Sequence, residues 1–402
     1  MPKRIVYVQY TNPAGYPPLE HSSRILADAG WEVLFLGTGA AGGADALLLP
    51  AHPLITVKQL PFCQAGFRQK IHFVMFGLWV LRSVLAWRPR WVYASDMLSC
   101  PVALALSWVP GKRIIYHEHD SPSASAGSAT NGFVMWCRRA LVRRAEYCVL
   151  PNQQRAEHFQ AETGAGSSTV VRVWNCPRKE EIAGPRAPLN GPDVWLLYHG
   201  SIAQSRLPMA LINALAKLPA SLKFRVIGYE TLGSQGYLDA MLARARGLGI
   251  SHRVDVVGPL PRRGELLEYC RSSDIGLALM PMDGQDINMR AMAGASNKAF
   301  DYLACGLALL VSELPDWKAM FVEPGYGLAC IPDDPSSIER ALRWLLEHPD
   351  EMRAMGERGR QRIEKEWNYE MQFANVREIM ETPAFGRRSE YARAYSKVTG
   401  TR

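Results

Sequence analysis

Short runs of Val, Ile and Leu alternate with longer segments of helical period, and the alternation occurs twice along the chain. Parallel βαβ units produce this pattern: a strand covered on both faces is apolar throughout, whereas each crossover helix needs only one apolar stripe. Strand candidates in the first half are IVYVQY (5–10), EVLFLG (32–37), RWVYAS (90–95), KRIIYH (112–117), YCVLP (147–151) and VVRVWN (170–175). The series restarts with VWLLYHG (194–200) and runs through FRVIGY (224–229), RVDVVG (253–258), IGLALMP (275–281), LALLVS (307–312) and GLACI (327–331). Between the two series AGPRAPLNGPD (183–193) is dense in Pro and Gly, as an interdomain connection is. An α/β fold of two domains follows, one over residues 1–183 and one over 184–365. Residues 366–402 add a last helix, EWNYEMQFANVREIM (366–380), and a basic tail. A chain of 402 residues suits this division, because single cores stop growing at roughly 250–300 residues.

Charge is unevenly spread. Residues 1–183 hold 19 Lys and Arg against 12 Asp and Glu, so most of the formal net charge of +8 lies there. From Ala46 to Ser95 there is no acid, while Lys58, Arg68, Lys70, Arg82, Arg88 and Arg90 all occur. Such a face attracts anions, including the headgroups of an anionic membrane. Nucleic acid is the least fitting partner, because no recognition motif accompanies the basic residues. Eight scattered cysteines without a C-x-x-C pair suit a reducing compartment, and MPKRIVYVQY carries no export pattern, so a cytoplasmic location is expected.

The segment GTGAAG (37–42) matches a dinucleotide fingerprint literally, but it follows the second strand and has no acid about 20 residues on. It reads as a flexible glycine loop. The first βα turn, NPAGYPP, offers Gly15 as a place where backbone approaches a ligand. In YHGSIAQSR (198–206), a strand is followed by Gly200 and then Arg206, a cation suited to a diphosphate above the strand ends. SNKAFDYLACG (296–306) opens a helix with Ser296 as N-cap and Asn297 and Lys298 in the first turn, where free N–H groups favour an anion. Asp301, one turn on, accepts from ribose hydroxyls or, in a purely structural helix, pairs with Lys298.

These segments, in this order, resemble the retaining glycosyltransferases of family 4 (glycosyl transferases group 1). The likeness includes VIGYE (226–230), VVGPLPRRGELLEYCRSSDIGLALMP (256–281) and the NK-x-x-D-Y-L-A-x-G segment. It implies the GT-B fold, two Rossmann-like domains with parallel sheets facing a central cleft, and a last helix that crosses back onto the first domain. It also implies a donor site of Gly15, Gly200, Ser201, Arg206, Tyr229, Ser296, Asn297, Lys298 and Asp301, with Arg206 on the diphosphate and Asp301 on ribose. Two positions depart from the family pattern: Ala293 stands where the first acid of the paired-glutamate motif falls, and Ser201 where an arginine is usual. IIYHEHDSP (114–122) resembles the family's strand ending in His-Asp, which places His119 and Asp120 at the cleft. Glu118 or Asp120 would serve as base if the enzyme inverted.

On the acceptor side, a helical wheel of FVMWCRRALVRRAEYC (133–148) groups Phe133, Cys137, Ala140, Leu141 and Ala145 opposite Arg138, Arg139 and Arg143. IHFVMFGLWVLRSVLAW (71–87) is too short for a spanning helix and reads as buried or interfacial. SPSASAGSATNG (121–132) would be a flap over the acceptor. The expected activity is transfer of a sugar from a nucleoside diphosphate sugar to a hydroxyl, on a lipid-linked glycan at the inner membrane face, with no metal or cofactor. The rivals are a sugar-nucleotide epimerase built on the same fold, using Glu118 and Asp120, and a degenerate membrane-bound scaffold.

Overall fold

The computed structural model describes residues 3–122, 129–186, 191–231, 233–284 and 286–381. The core of the connection at 183–193, half of the loop at 121–132 and the basic tail lie outside the described residues.

In the first half β1 (Arg4–Val8), β2 (Glu32–Thr38), β3 (Ile55–Leu60), β4 (Trp91–Ser95), β5 (Arg113–His117), β6 (Tyr147–Leu150) and β7 (Val170–Arg172) form one sheet in the order β3-β2-β1-β4-β5-β6-β7. Every pairing is parallel. The connecting helices are α1 (Pro17–Asp28), α2 (Phe67–Trp87), α3 (Cys100–Leu106), α4 (Ala129–Val142) and α5 (Gln153–Thr163). One sheet face packs Val6, Val92, Ile114 and Leu150 against Phe76 and Val80 of α2, Leu104 of α3, Leu141 of α4 and Phe159 of α5. On the other face Ile5, Tyr7 and Tyr93 meet α1.

The second half has β8 (Val194–Ile202), β9 (Leu222–Glu230), β10 (Val254–Gly258), β11 (Ile275–Ala278), β12 (Ala308–Ser312) and β13 (Gly327–Cys330) in the order β10-β9-β8-β11-β12-β13, again parallel. Its helices are α6 (Met209–Leu215), α7 (Tyr237–Gly247), α8 (Arg263–Arg271), α9 (Ile287–Arg290), α10 (Asn297–Ala304), α11 (Pro315–Trp317), α12 (Pro335–Glu347) and α13 (Pro349–Lys365). In both sheets the order reverses beside the first strand, and open α/β sheets bind ligands outside the strand carboxyl ends at such a point. The final helix, α14 (Tyr369–Glu381), leaves the second half and buries Tyr369, Phe373 and Val376 against Tyr7, Ile25 and Trp31 of the first.

The sequence reading missed β3. Its residues ITVKQL form an edge strand that is exposed over most of its length, so the apolar run that marks the other strands is absent.

Candidate active site

The carboxyl ends of both sheets face a cavity of about 310 Å³ between the halves. Its wall from the second half is set by β8 and α10. Gly200 ends the apolar part of β8 with φ +112°, and a Cβ there would lie 2.9 Å from Cε of Lys298. The backbone angle thus favours glycine, and a larger residue would displace the end of the lysine lying across the turn. Lys298 reaches this position from the first turn of α10, which is anchored by buried Phe300, Tyr302 and Leu303. The Tyr302 hydroxyl accepts from the His199 N–H at 3.0 Å, tying α10 to the end of β8. The Lys298 ammonium stands 5.6 Å from the centroid of the Tyr198 ring.

Two cations meet here. Burial and then the neighbouring Arg206 push the Lys298 pKa down to about 7, against the opposing pull of Asp301. Arg206 lines the same cavity and contacts Ser201 Oγ at 3.5 Å. Ser296 occupies the N-cap position of α10, but its side chain makes no cap hydrogen bond. The buried Asn297 Oδ1 has no partner among the described residues, and neutral His199 also lines the cavity, its pKa lowered by burial and then by Lys298. Cations crowded at a helix N-terminus in this way form a ready anion site.

Asp301 lines the same cavity, with its carboxylate already paired. It is wholly buried, and Arg263 grips both carboxylate oxygens at 2.5 and 3.1 Å, with His199 Nε2 at 3.4 Å from one of them. Arg263 also binds Glu181 at 2.6 Å, and Glu181 meets His21 of α1 at 3.1 Å. Through Arg263 and Glu181 the carboxylate therefore ties the two halves together at the cavity wall.

The wall from the first half holds Gly15, Tyr16, His119 and Asp120. A Cβ on Gly15 would meet nothing nearer than Leu47 at 3.9 Å, so the backbone there is open to the cavity. The His119 ring lies tilted against its neighbours, its centroid 4.9 Å from that of Tyr16 and 3.8 Å from that of His117, with Nε2 3.1 Å from Ser95 Oγ. Burial, with Arg155 acting in the same direction against Asp120, lowers its pKa to about 3, so the ring is neutral at pH 7. Asp120 stands at the exposed rim, 3.2 Å from Arg155 Nη1.

Glu118 is no acid or base of the cleft. Alternation along the strand end turns it to the opposite side from His117 and His119, where it is fully buried. Arg138 holds it at 2.6 and 2.8 Å, and the Tyr116 hydroxyl donates to it at 2.7 Å. The same pair corrects the wheel of α4: Arg138 lies inside, with only Arg139 and Arg143 outside.

Three features escaped the sequence reading. Asp96 follows β4 with φ +58°, a strained conformation for a residue with a side chain. It accepts from the His119 N–H at 2.9 Å and from Gln9 Nε2 at 3.4 Å, and burial with nearby Asp120 raises its pKa to about 7. Buried Arg155 spans the halves by donating to the carbonyls of His119, Asn288 and Ala291. The stretch just after the glycine loop, residues 43–48, bridges the halves. A Cβ on Gly43 would lie 2.7 Å from Cβ of Tyr229, and the Leu48 N–H donates to Pro261 O at 2.8 Å. Tyr229 thus forms cavity wall and contact together. Ala293, at the departure from the family pattern, gives its carbonyl to Asn152 Nδ2 at 2.8 Å.

Among the described residues no group of three His, Cys, Asp or Glu side chains is placed to hold a metal ion.

Comparison with known proteins agrees with this geometry. The model of a glycosyl transferase 4-like domain matches residues 19–176, and that of a glycosyl transferase-like domain matches residues 208–378. No curated protein sequence matches the chain. Among solved structures, Anabaena Alr3699/HepE in complex with UDP and glucose superposes with a TM-score of 0.70 at 14% identity, covering 94% of this chain and 99% of that one. Sucrose-phosphate synthase from Thermosynechococcus elongatus gives 0.68 at 15% identity, covering 98% and 100%. WaaG, a glycosyltransferase involved in lipopolysaccharide biosynthesis, gives 0.67 at 14%, covering 94% and 100%. With two glycosyltransferase models spanning most of its length and two doubly wound halves facing one cleft, the chain belongs to the GT-B glycosyltransferases of the family 4-like group.

Proposed function

We propose that the protein moves a sugar from a nucleoside diphosphate sugar to a hydroxyl of a lipid-linked glycan, with retention of configuration, at the inner face of a membrane. The observation that carries the donor is the pairing of Lys298 with Arg206 at the start of α10, two cations in one wall whose mutual repulsion a diphosphate would relieve. Structural relatives crystallised with UDP, or with UDP and glucose, make a uridine nucleotide the first donor to try.

As the bond to the sugar breaks, charge grows on the leaving phosphate. Lys298, Arg206 and the N–H groups opening α10 are fixed in advance to stabilise it, a role that requires no metal. Neutral His119 donates a hydrogen bond to the sugar from the opposite wall. No protein base is needed if the leaving phosphate accepts the acceptor's proton, which accords with a cleft where Glu118 is sealed away and Asp120 is tied to Arg155. The epimerase reading loses one of its two carboxylates by the same geometry. A degenerate scaffold would have no use for the cation pair.

Incubation with a panel of nucleotide sugars and lipid-linked acceptors, following nucleotide release, tests the reading. Product of retained anomeric configuration is expected, and an inverted product would overturn the mechanism. Failure to bind any nucleotide sugar would overturn the donor assignment.

A further inference from the structure

The α2 helix is anomalous for a crossover helix. Its inner side sets Phe76, Val80 and Val84 against the sheet, all fully buried. Its outer side is equally apolar: Phe67, Ile71, Val74, Met75, Leu78 and Leu85 are each between 49% and 76% exposed. The spacing follows the helical period, so these side chains make one stripe along a helix of about 31 Å. Single exposed apolar residues are ordinary, but a continuous stripe marks an interaction surface.

The surroundings name the partner. Arg68, Lys70, Arg82 and Arg88 are exposed on or beside the stripe, and none forms an ion pair among the described residues. No acid occurs between Ala46 and Ser95. In the same helical layer α3 packs between α2 and α4. The outer side of α4 presents Phe133 and Trp136, stacked at 6.3 Å, with exposed Arg139 and, just past the helix end, exposed Arg143. Trp108, just after α3, is 68% exposed and carries Arg144 over its ring at 3.9 Å.

We infer that the outer layer of α2, α3 and α4 docks onto an anionic phospholipid surface, with the α2 stripe lying in the interface plane. Aliphatic and aromatic side chains enter the acyl boundary, while the arginines and lysine meet phosphates, and tryptophan rings sit at headgroup depth. α2 begins at Phe67, four residues before the run read from the sequence, so contrary to that reading it is long and apolar enough to cross a bilayer, but a spanning pose would strip Phe76, Val80 and Val84 from the sheet core. It therefore lies on the membrane and does not pass through it. A protein partner or a second copy would not call for an acid-free cationic border around the whole stripe, whereas an anionic surface does.

The inference deepens the membrane part of the proposed function and rests on it for the location only. Its test uses no nucleotide sugar and no acceptor, so docking and transfer can fail separately. Sedimentation of the full chain with phosphatidylcholine vesicles, with and without phosphatidylglycerol, gives the partition coefficient. Strong binding is expected only with phosphatidylglycerol, weakening as salt is added. I71S/M75S/L78S should lower the partition by roughly tenfold or more with unchanged thermal melting, since all three side chains are exposed. R68Q/K70Q/R82Q should lower it by about fivefold per charge, on the anionic vesicles alone. The inference is overturned if the wild type ignores anionic vesicles, or if both variants bind as it does. It is overturned equally if light scattering shows a dimer that I71S/M75S/L78S dissolves while vesicle binding is absent.

Discussion

Changing Glu118 to Gln separates a structural carboxylate from a catalytic one. The substitution keeps the shape and removes the charge that Arg138 faces at 2.6 and 2.8 Å in a fully buried site. Breaking a buried pair typically costs about 3–5 kcal/mol, because the surviving charge is left uncompensated. Arg138 keeps a second partner, Glu162, at 3.0 Å, and that carboxylate is partly exposed, so the lower end applies, about 3 kcal/mol. At roughly 2–4 °C per kcal/mol for a domain of this size, the first half should melt roughly 6–12 °C earlier. Differential scanning fluorimetry reads the shift, and turnover measured well below the melting point should stay within a few-fold of wild type. The double variant E118L/R138M, which removes both charges, should recover much of the loss. Glu118→Gln with unchanged melting and abolished turnover would refute the reasoning, since it would place the carboxylate in the chemistry.

Other expectations follow from the cavity walls. Gly200→Ala forces a Cβ to 2.9 Å from Cε of Lys298 at a positive φ, so nucleotide affinity should fall roughly tenfold or more by calorimetry while the fold is retained. Because the His119 pKa is lowered to about 3, turnover at saturating nucleotide sugar between pH 5 and 8 should show no step from this histidine, and His119→Ala should lower the rate without changing the profile. Asp96, raised to about 7 in the folded chain, binds its proton more tightly folded than unfolded, so it weakens the fold as pH rises from about 4 through 7. Asp96→Asn should therefore gain stability relative to wild type at pH 8 but not at pH 4, as denaturant titrations at the two values would show.

Much of this arrangement was legible because it depends on local pattern. Twelve of the strands announce themselves as apolar runs, and the cation-bearing wall of the cavity is written into two short segments, Gly200 to Arg206 and Ser296 to Lys298, that the sheet order brings together. Chemistry that depends on partners distant in sequence was not legible. Asp301 looks like a free acid one turn into a helix until Arg263 arrives from α8. Glu118 looks like a neighbour of His119 until strand alternation sends it to Arg138. Asp96 follows an ordinary strand, and only its positive φ and its bond to the His119 N–H single it out. A helical wheel assigns Arg138 to solvent, since it has no means of supplying a buried carboxylate.

The central claim is that Lys298 and Arg206 hold the donor diphosphate, and calorimetric titration of UDP across pH tests it most directly. An ammonium with a pKa near 7 in the free protein takes up a proton when the diphosphate arrives, so the heat should depend on buffer ionisation at pH 8. Affinity should fall by up to about tenfold per pH unit above 7, and Lys298→Ala should remove both the proton uptake and this slope. Saturable binding with the same affinity, pH slope and proton uptake in Lys298→Ala as in wild type would contradict the account.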